Sequence, residues 1–129
     1  MKSILLKVGL LTTLSVGLVA GKASAAEMDW ATKCSSMGDI KQGENPNYQQ
    51  INCLLTNAAL SKNIPPEVVK AVAEQESAWK QFNNGQVVSD GKGFGIMQVT
   101  DSVADPERVK NDIVYNIEQG LNILNAKYE

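Results

Sequence analysis

Pro65 and Pro66 fall in the middle of the most periodic stretch of this sequence and divide it in two. A proline has no backbone N–H and breaks a helix interior, yet it suits a helix's first turn. Before the break, over residues 48–62, Ile51, Leu54, Leu55, Ala58 and Ala59 follow the i, i+3, i+4, i+7, i+8 spacing of one apolar helix face. After it, over residues 66–79, Val68, Val69, Val72 and Ala73 share a face in the same way. The chain must therefore turn at the prolines and lay two amphipathic helices against a common core. A third helix is predicted over 106–127, with Ile113, Asn116, Ile117, Gly120, Leu121 and Leu124 on one side. Gly120 inside a helix costs about 1 kcal/mol relative to alanine, which points to close packing against another backbone. Between the second and third helices, residues 83–95 are rich in turn formers, with 87–88 and 96–99 as short strand-like pieces. They read as a small β-hairpin or an irregular loop. Residues 27–47 are polar and carry Gly38, Gly43 and Pro46, so they read as a tether or loop. The predicted architecture is mainly α with a small β element.

The N-terminus has a different character. Lys2 and Lys7 precede an uncharged run over 8–20, too short to span a bilayer, and Ala23-Ser24-Ala25 supplies a small-x-small cleavage pattern. Residues 1–25 are expected to be an export signal, which leaves 104 residues and no transmembrane segment after cleavage. The signal removes Lys2, Lys7 and Lys22 and no acid, so the remainder carries nine cations against fourteen acids, a formal charge of −5. That balance argues against a nucleic-acid binder. Export to an oxidising compartment gives the only two cysteines a meaning, since Cys34 and Cys53 can pair there and close a loop worth about 3 kcal/mol.

The 129 residues contain no histidine. This excludes a Ser–His–Asp hydrolase, a Cys–His protease and any His-ligated zinc centre, and two cysteines are too few for a four-cysteine metal site. Chemistry in this chain must run on carboxylates, hydroxyls or amides. One carboxylate stands out, because four residues past Val72 the apolar stripe of the second helix reaches Glu76. Burial there, beside the negative end of the helix dipole, is expected to favour the protonated form that a general acid needs. The following loop, with Gly91, Gly93, Gly95 and Gln98, suits close backbone approach to a neutral, hydroxyl-rich ligand such as a sugar. No P-loop lysine and no calcium-loop spacing is present.

The residues Ile64-Pro65-Pro66-Glu67, Glu76-Ser77-Ala78-Trp79, Gly95-Ile96-Met97-Gln98-Val99 and Asn116-Ile117-Glu118-Gln119-Gly120, in that order, resemble the soluble lytic transglycosylase domain of the lysozyme-like superfamily. The resemblance covers roughly residues 48–129. It implies a lysozyme-like α+β fold, peptidoglycan glycan strands as substrate, a cell-envelope or secreted location, and no metal or other cofactor. It makes Glu76 the single catalytic acid. Ser77, Ser89, Gly95, Met97 and Gln98 correspond to residues that line the sugar site, Ser89 to one that assists the substrate's N-acetyl group. Trp79 is expected to close the helix as a core residue. The sequence departs from the family in having Thr100-Asp101-Ser102 after Val99. It also stops at Glu129, before the Ala-Tyr-Asn-Ala-Gly-like motif that the family carries on later helices, so the domain is expected to be C-terminally short.

The resemblance implies cleavage of the β-1,4 bond between N-acetylmuramic acid and N-acetylglucosamine, with a 1,6-anhydro product. Two alternatives remain open at this level. Water can replace the muramic C6 hydroxyl, with Asp90 and Asp101 the nearby acids, or the chain can be a truncated glycan-binding module without catalysis.

Overall fold

The computed structural model describes residues 28–100 and 105–127; the expected export signal over 1–25 lies outside them. The described chain is mainly helical. It consists of α1 (Asp29–Thr32), a 3-10 turn at Ser35–Met37, α2 (Tyr48–Ser61), α3 (Pro66–Ser77), a two-stranded antiparallel sheet of β1 (Phe82–Asn83) and β2 (Gln86–Val87), α4 (Pro106–Asn111) and α5 (Ile113–Lys127). Among the described residues no helix is long and apolar enough to cross a membrane.

The helix limits follow from local chemistry. Asn47 caps α2 by accepting from the Gln50 N–H at 2.8 Å. The helix ends where Asn63 turns left-handed, at φ 58°, and Pro66 opens α3. Ala78 and Trp79, both at positive φ, end α3 in turn, with their N–H groups returned to the carbonyls of Glu74 and Ala73. The hairpin turn is Asn84-Gly85, both residues left-handed, as the twist of a two-residue β-turn demands.

α2 lies at the centre and packs on α1, α3 and α5. Its predicted inner residues Ile51, Leu54, Leu55, Ala58 and Ala59 are all buried. On α3 the inward stripe is Val69, Ala73 and Ser77, while Val68 is exposed. Glu118 on α5 joins three helices, accepting from Trp30 Nε1 and from Lys62 Nζ, each at 2.9 Å.

Three expectations are corrected. The segment read as a tether contributes Trp30, Ala31 and Cys34 to the core, and the Cys34–Cys53 disulfide fastens it to α2. Its polar composition hid this because only isolated positions face inward. The helix predicted over 106–127 is two helices, since Asp112 is extended (φ −128°, ψ 104°) and its carboxylate caps α5 through the Tyr115 N–H at 3.1 Å. Residues 96–99 are not a strand. Phe94 and Val99 pair with each other, and the four residues between them form a tight turn held by left-handed Gly95 and Gln98.

That turn is clamped from below by two fully buried carboxamides. Asn116 Oδ1 accepts from the Met97 N–H at 2.9 Å, and its Nδ2 donates to the carbonyls of Phe94 (2.7 Å) and Val109 (2.9 Å). Gln81 Oε1 accepts from the Ile96 N–H at 2.9 Å, and its Nε2 donates to the carbonyls of Val109 (3.1 Å) and Lys110 (3.0 Å). Gly120 is where α5 meets Met97: a Cβ there would lie 2.5 Å from Met97 Cβ and 2.7 Å from Met97 Cγ.

Replacing Asn116 by Ala leaves the buried Met97 N–H without its acceptor and takes one of two donors from the Phe94 and Val109 carbonyls, and is expected to cost about 1–3 kcal/mol in urea unfolding. Ala in place of exposed Asn122 on the same helix is expected to change stability by no more than about 0.5 kcal/mol. Gly120→Ala should cost about 1–3 kcal/mol by overpacking against Met97.

Candidate active site

Glu76 occupies the last turn of α3, beside the inward stripe. The expected burial is not found, because its side chain is exposed. The stripe runs through 69, 73 and 77, and Glu76 falls at its margin next to half-buried Val72. Among the described residues its carboxylate takes part in no hydrogen bond or ion pair. It is an exposed, unengaged side chain at a helix end.

Ser77 couples this helix end to the loop. Its Oγ donates within reach of the Ile96 carbonyl (2.8 Å) and the Ala73 carbonyl (3.1 Å), and accepts from the Lys80 N–H at 3.1 Å. The residue after Glu76 is thereby bonded to the residue before Met97. The two halves of the sequence motif, separated by some twenty positions, meet through this one hydroxyl.

The loop itself is braced internally. Gln98, left-handed at φ 51°, donates from Nε2 to the carbonyls of Val88 (3.0 Å) and Gly95 (2.8 Å), and its Oε1 accepts from the Asp90 N–H at 2.9 Å. Ser89 donates to the Gly93 carbonyl at 2.7 Å and accepts from the Gly91 N–H at 3.1 Å. Asp90 accepts from the N–H groups of Gly93 (2.8 Å) and Lys92 (2.9 Å), and these bonds hold its pKa below the usual carboxylate value. Gly95 lies at φ 79° with Gln81 and Asn116 directly against it, and any Cβ would strike both amides. Met97 is buried against Gly120, and Gln98 is half-buried. Gln98 and Ser89 thus share one rigid loop, Ser77 joins that loop to α3, and Gly95 and Met97 form its buried underside.

Several residues that shape the site carry no sequence signal of their own. Gln81 lies outside any periodic element. Asn45 fixes its position from the N-terminal segment, accepting from the N–H groups of Gln81 and Phe82 at 2.9 Å and donating to the Phe82 carbonyl at 2.8 Å. Asn116 was visible as a polar residue on the inner face of α5. Trp79 is half-buried; its indole N–H donates to the Lys70 carbonyl at 2.9 Å, and its ring stacks on Tyr48 with centroids 5.0 Å apart. Tyr48 itself is 68% exposed.

Exposed oxygen on an unpaired carboxylate, beside a loop made rigid by its own amides, can exchange a proton with a bound neutral ligand. Among the described residues no cluster of three or more His, Cys, Asp or Glu side chains is placed to hold a metal ion.

Residues 54–129 match the family model described as the Transglycosylase SLT domain. Among curated proteins and solved structures no match to the chain was found. The matched segment takes in Glu76, the braced loop and Asn116, and it bears out the resemblance carried by those motifs. With more than half of its length in the match, the chain belongs to the Transglycosylase SLT domain family.

Proposed function

We propose that this protein is an exported peptidoglycan lytic transglycosylase with Glu76 as its acid and base. The observation that carries this reading is the pairing of an unengaged carboxylate with a clamped loop, joined at the Ser77–Ile96 hydrogen bond. The family match supports the same substrate class. Export is supported by the signal-like residues 1–25 and by the Cys34–Cys53 disulfide, which suits an oxidising compartment.

In the proposed reaction a glycan strand lies across the C-terminal end of α3. The strand covers Glu76 and supplies the desolvation that the free protein lacks. Glu76 donates its proton to the glycosidic oxygen as the bond from muramic C1 breaks and the N-acetylglucosamine side departs as an alcohol. The substrate's own acetamido oxygen stabilises the cationic C1, so no second enzyme carboxylate is needed. Glu76, now ionised, takes the proton from the muramic C6 hydroxyl while O6 bonds to C1. The carboxyl ends as it began, and the product is a 1,6-anhydromuramic end.

Ser77, Ser89 and Gln98 would act differently from Glu76. Their polar atoms hold the loop in shape, so sugar contacts would fall to the remaining lone pairs of exposed Ser89 and half-buried Gln98. Met97 is the apolar support beneath.

Glu76→Gln is expected to lower release of soluble glycan from purified peptidoglycan by about 100-fold or more while leaving thermal unfolding unchanged. A rate within a few-fold of the parent would sink the assignment. Ser77→Ala should cost about 1–3 kcal/mol of stability and also slow cleavage, since it cuts the link between α3 and the loop.

A further inference from the structure

Tyr48 is the large hydrophobic side chain with the greatest exposure among the described residues, at 68%. An exposed ring on its own needs no explanation. This one is held in place, because it stacks on Trp79 with centroids 5.0 Å apart and planes 18° from parallel. Trp79 covers one face of the ring, so the exposure falls on the other face and the edge.

The support beneath Tyr48 is itself fixed. The Trp79 indole N–H donates to the Lys70 carbonyl at 2.9 Å, which sets its ring against α3. Its backbone is left-handed at φ 65°, a conformation that bulky residues seldom adopt, and its own N–H returns to the Ala73 carbonyl. Tyr48 opens α2 directly after the Asn47 cap, which orders its backbone as well. The start of one helix and the end of another thus present a single aromatic face in a set orientation. Trp79 stands three residues after Glu76, so the Cα atoms of the two are at most about 11 Å apart.

The form of this surface selects a ligand. The face of an aromatic ring is electronegative and attracts slightly positive C–H groups. A pyranose ring presents such C–H groups on a flat side and carries its hydroxyls around its edge. Among the described residues the Tyr48 hydroxyl has no hydrogen-bond partner, so a sugar hydroxyl can meet it at the rim. A cation site gathers several rings around one charge, whereas here the second ring lies behind the first.

We infer that the outer face of Tyr48, backed by Trp79, is a stacking platform for a pyranose ring of a glycan strand. The choice of a glycan rests on the function proposed above. Because the pair is already stacked, little side-chain freedom is lost on binding. Trp79, expected to be a plain core residue, is then the support that holds Tyr48 flat.

The test uses the ¹³C,¹⁵N-labelled chain with its disulfide intact and Glu76→Gln in place, titrated with a chitin tetrasaccharide. Saturable shifts of the Tyr48 ring signals and of the Trp79 indole N–H are expected. The Trp30 indole, bonded to Glu118, should stay fixed and shows that the fold is kept. Tyr48→Ala should weaken binding by about threefold to tenfold, and so should Tyr48→Leu, which keeps apolar bulk without a flat ring. Tyr48→Trp should bind within about twofold of the chain that retains Tyr48. An unmoved Tyr48 ring, or binding that the Ala and Leu substitutions leave unchanged, would overturn the inference. Trilysine shifting the same signals as strongly would also overturn it, in favour of a cation site. Glycan cleavage by the parent chain is measured in parallel. Cleavage with an unmoved Tyr48 ring defeats only the platform, and a shifted Tyr48 ring without cleavage defeats only the catalytic reading.

Discussion

Two buried carboxamides, Gln81 and Asn116, decide the shape of everything near the proposed acid. Each accepts one backbone N–H from the turn between Phe94 and Val99 and donates to two carbonyls, and both share the Val109 carbonyl at the end of α4. A satisfied hydrogen bond of this kind contributes about 1 kcal/mol, but an unmet buried group costs about 1–3 kcal/mol. The clamp is therefore worth more for what it forbids than for what it adds. It prevents the turn from sliding, requires glycine at position 95, and carries the turn's position to α4 and α5. Ser77 then carries it to α3, next to Glu76.

How much of this was legible in the sequence depended on periodicity. The α2 face was readable because five buried residues repeat at helical spacing, and the double proline marked where α3 must begin. The turn formers over 83–95 were legible, but the hairpin turn at Asn84-Gly85 was not, because the strand before it is only Phe82–Asn83 and has no alternating pattern. The N-terminal segment was misread because its inward residues, Trp30, Ala31 and Cys34, occupy one short helix and the turn after it, with polar residues on both sides. The break at Asp112 was invisible because apolar spacing continues across it, and only the capping carboxylate reveals it. Gln81 could not be found at all, since its role arises from contacts with residues fifteen to twenty-nine positions away.

The corrected exposure of Glu76 changes the physical account of its chemistry. Periodicity alone placed the acid inside a stripe, where the protein would desolvate it. With the side chain at the margin, water reaches it until a ligand excludes that water, so the microenvironment of the acid becomes a property of the complex. Under the proposed function this suits a long polymeric substrate, which can cover a surface that a small molecule could not.

The most direct measurement of the central claim is the mass of the products released from peptidoglycan by the purified chain. Glu76 acting alone, with the muramic C6 hydroxyl as internal nucleophile, yields fragments lighter by one water than those of hydrolysis, each ending in 1,6-anhydromuramic acid. Fragments with reducing muramic ends would show that water, not the C6 hydroxyl, attacks C1, and would contradict the one-carboxylate account.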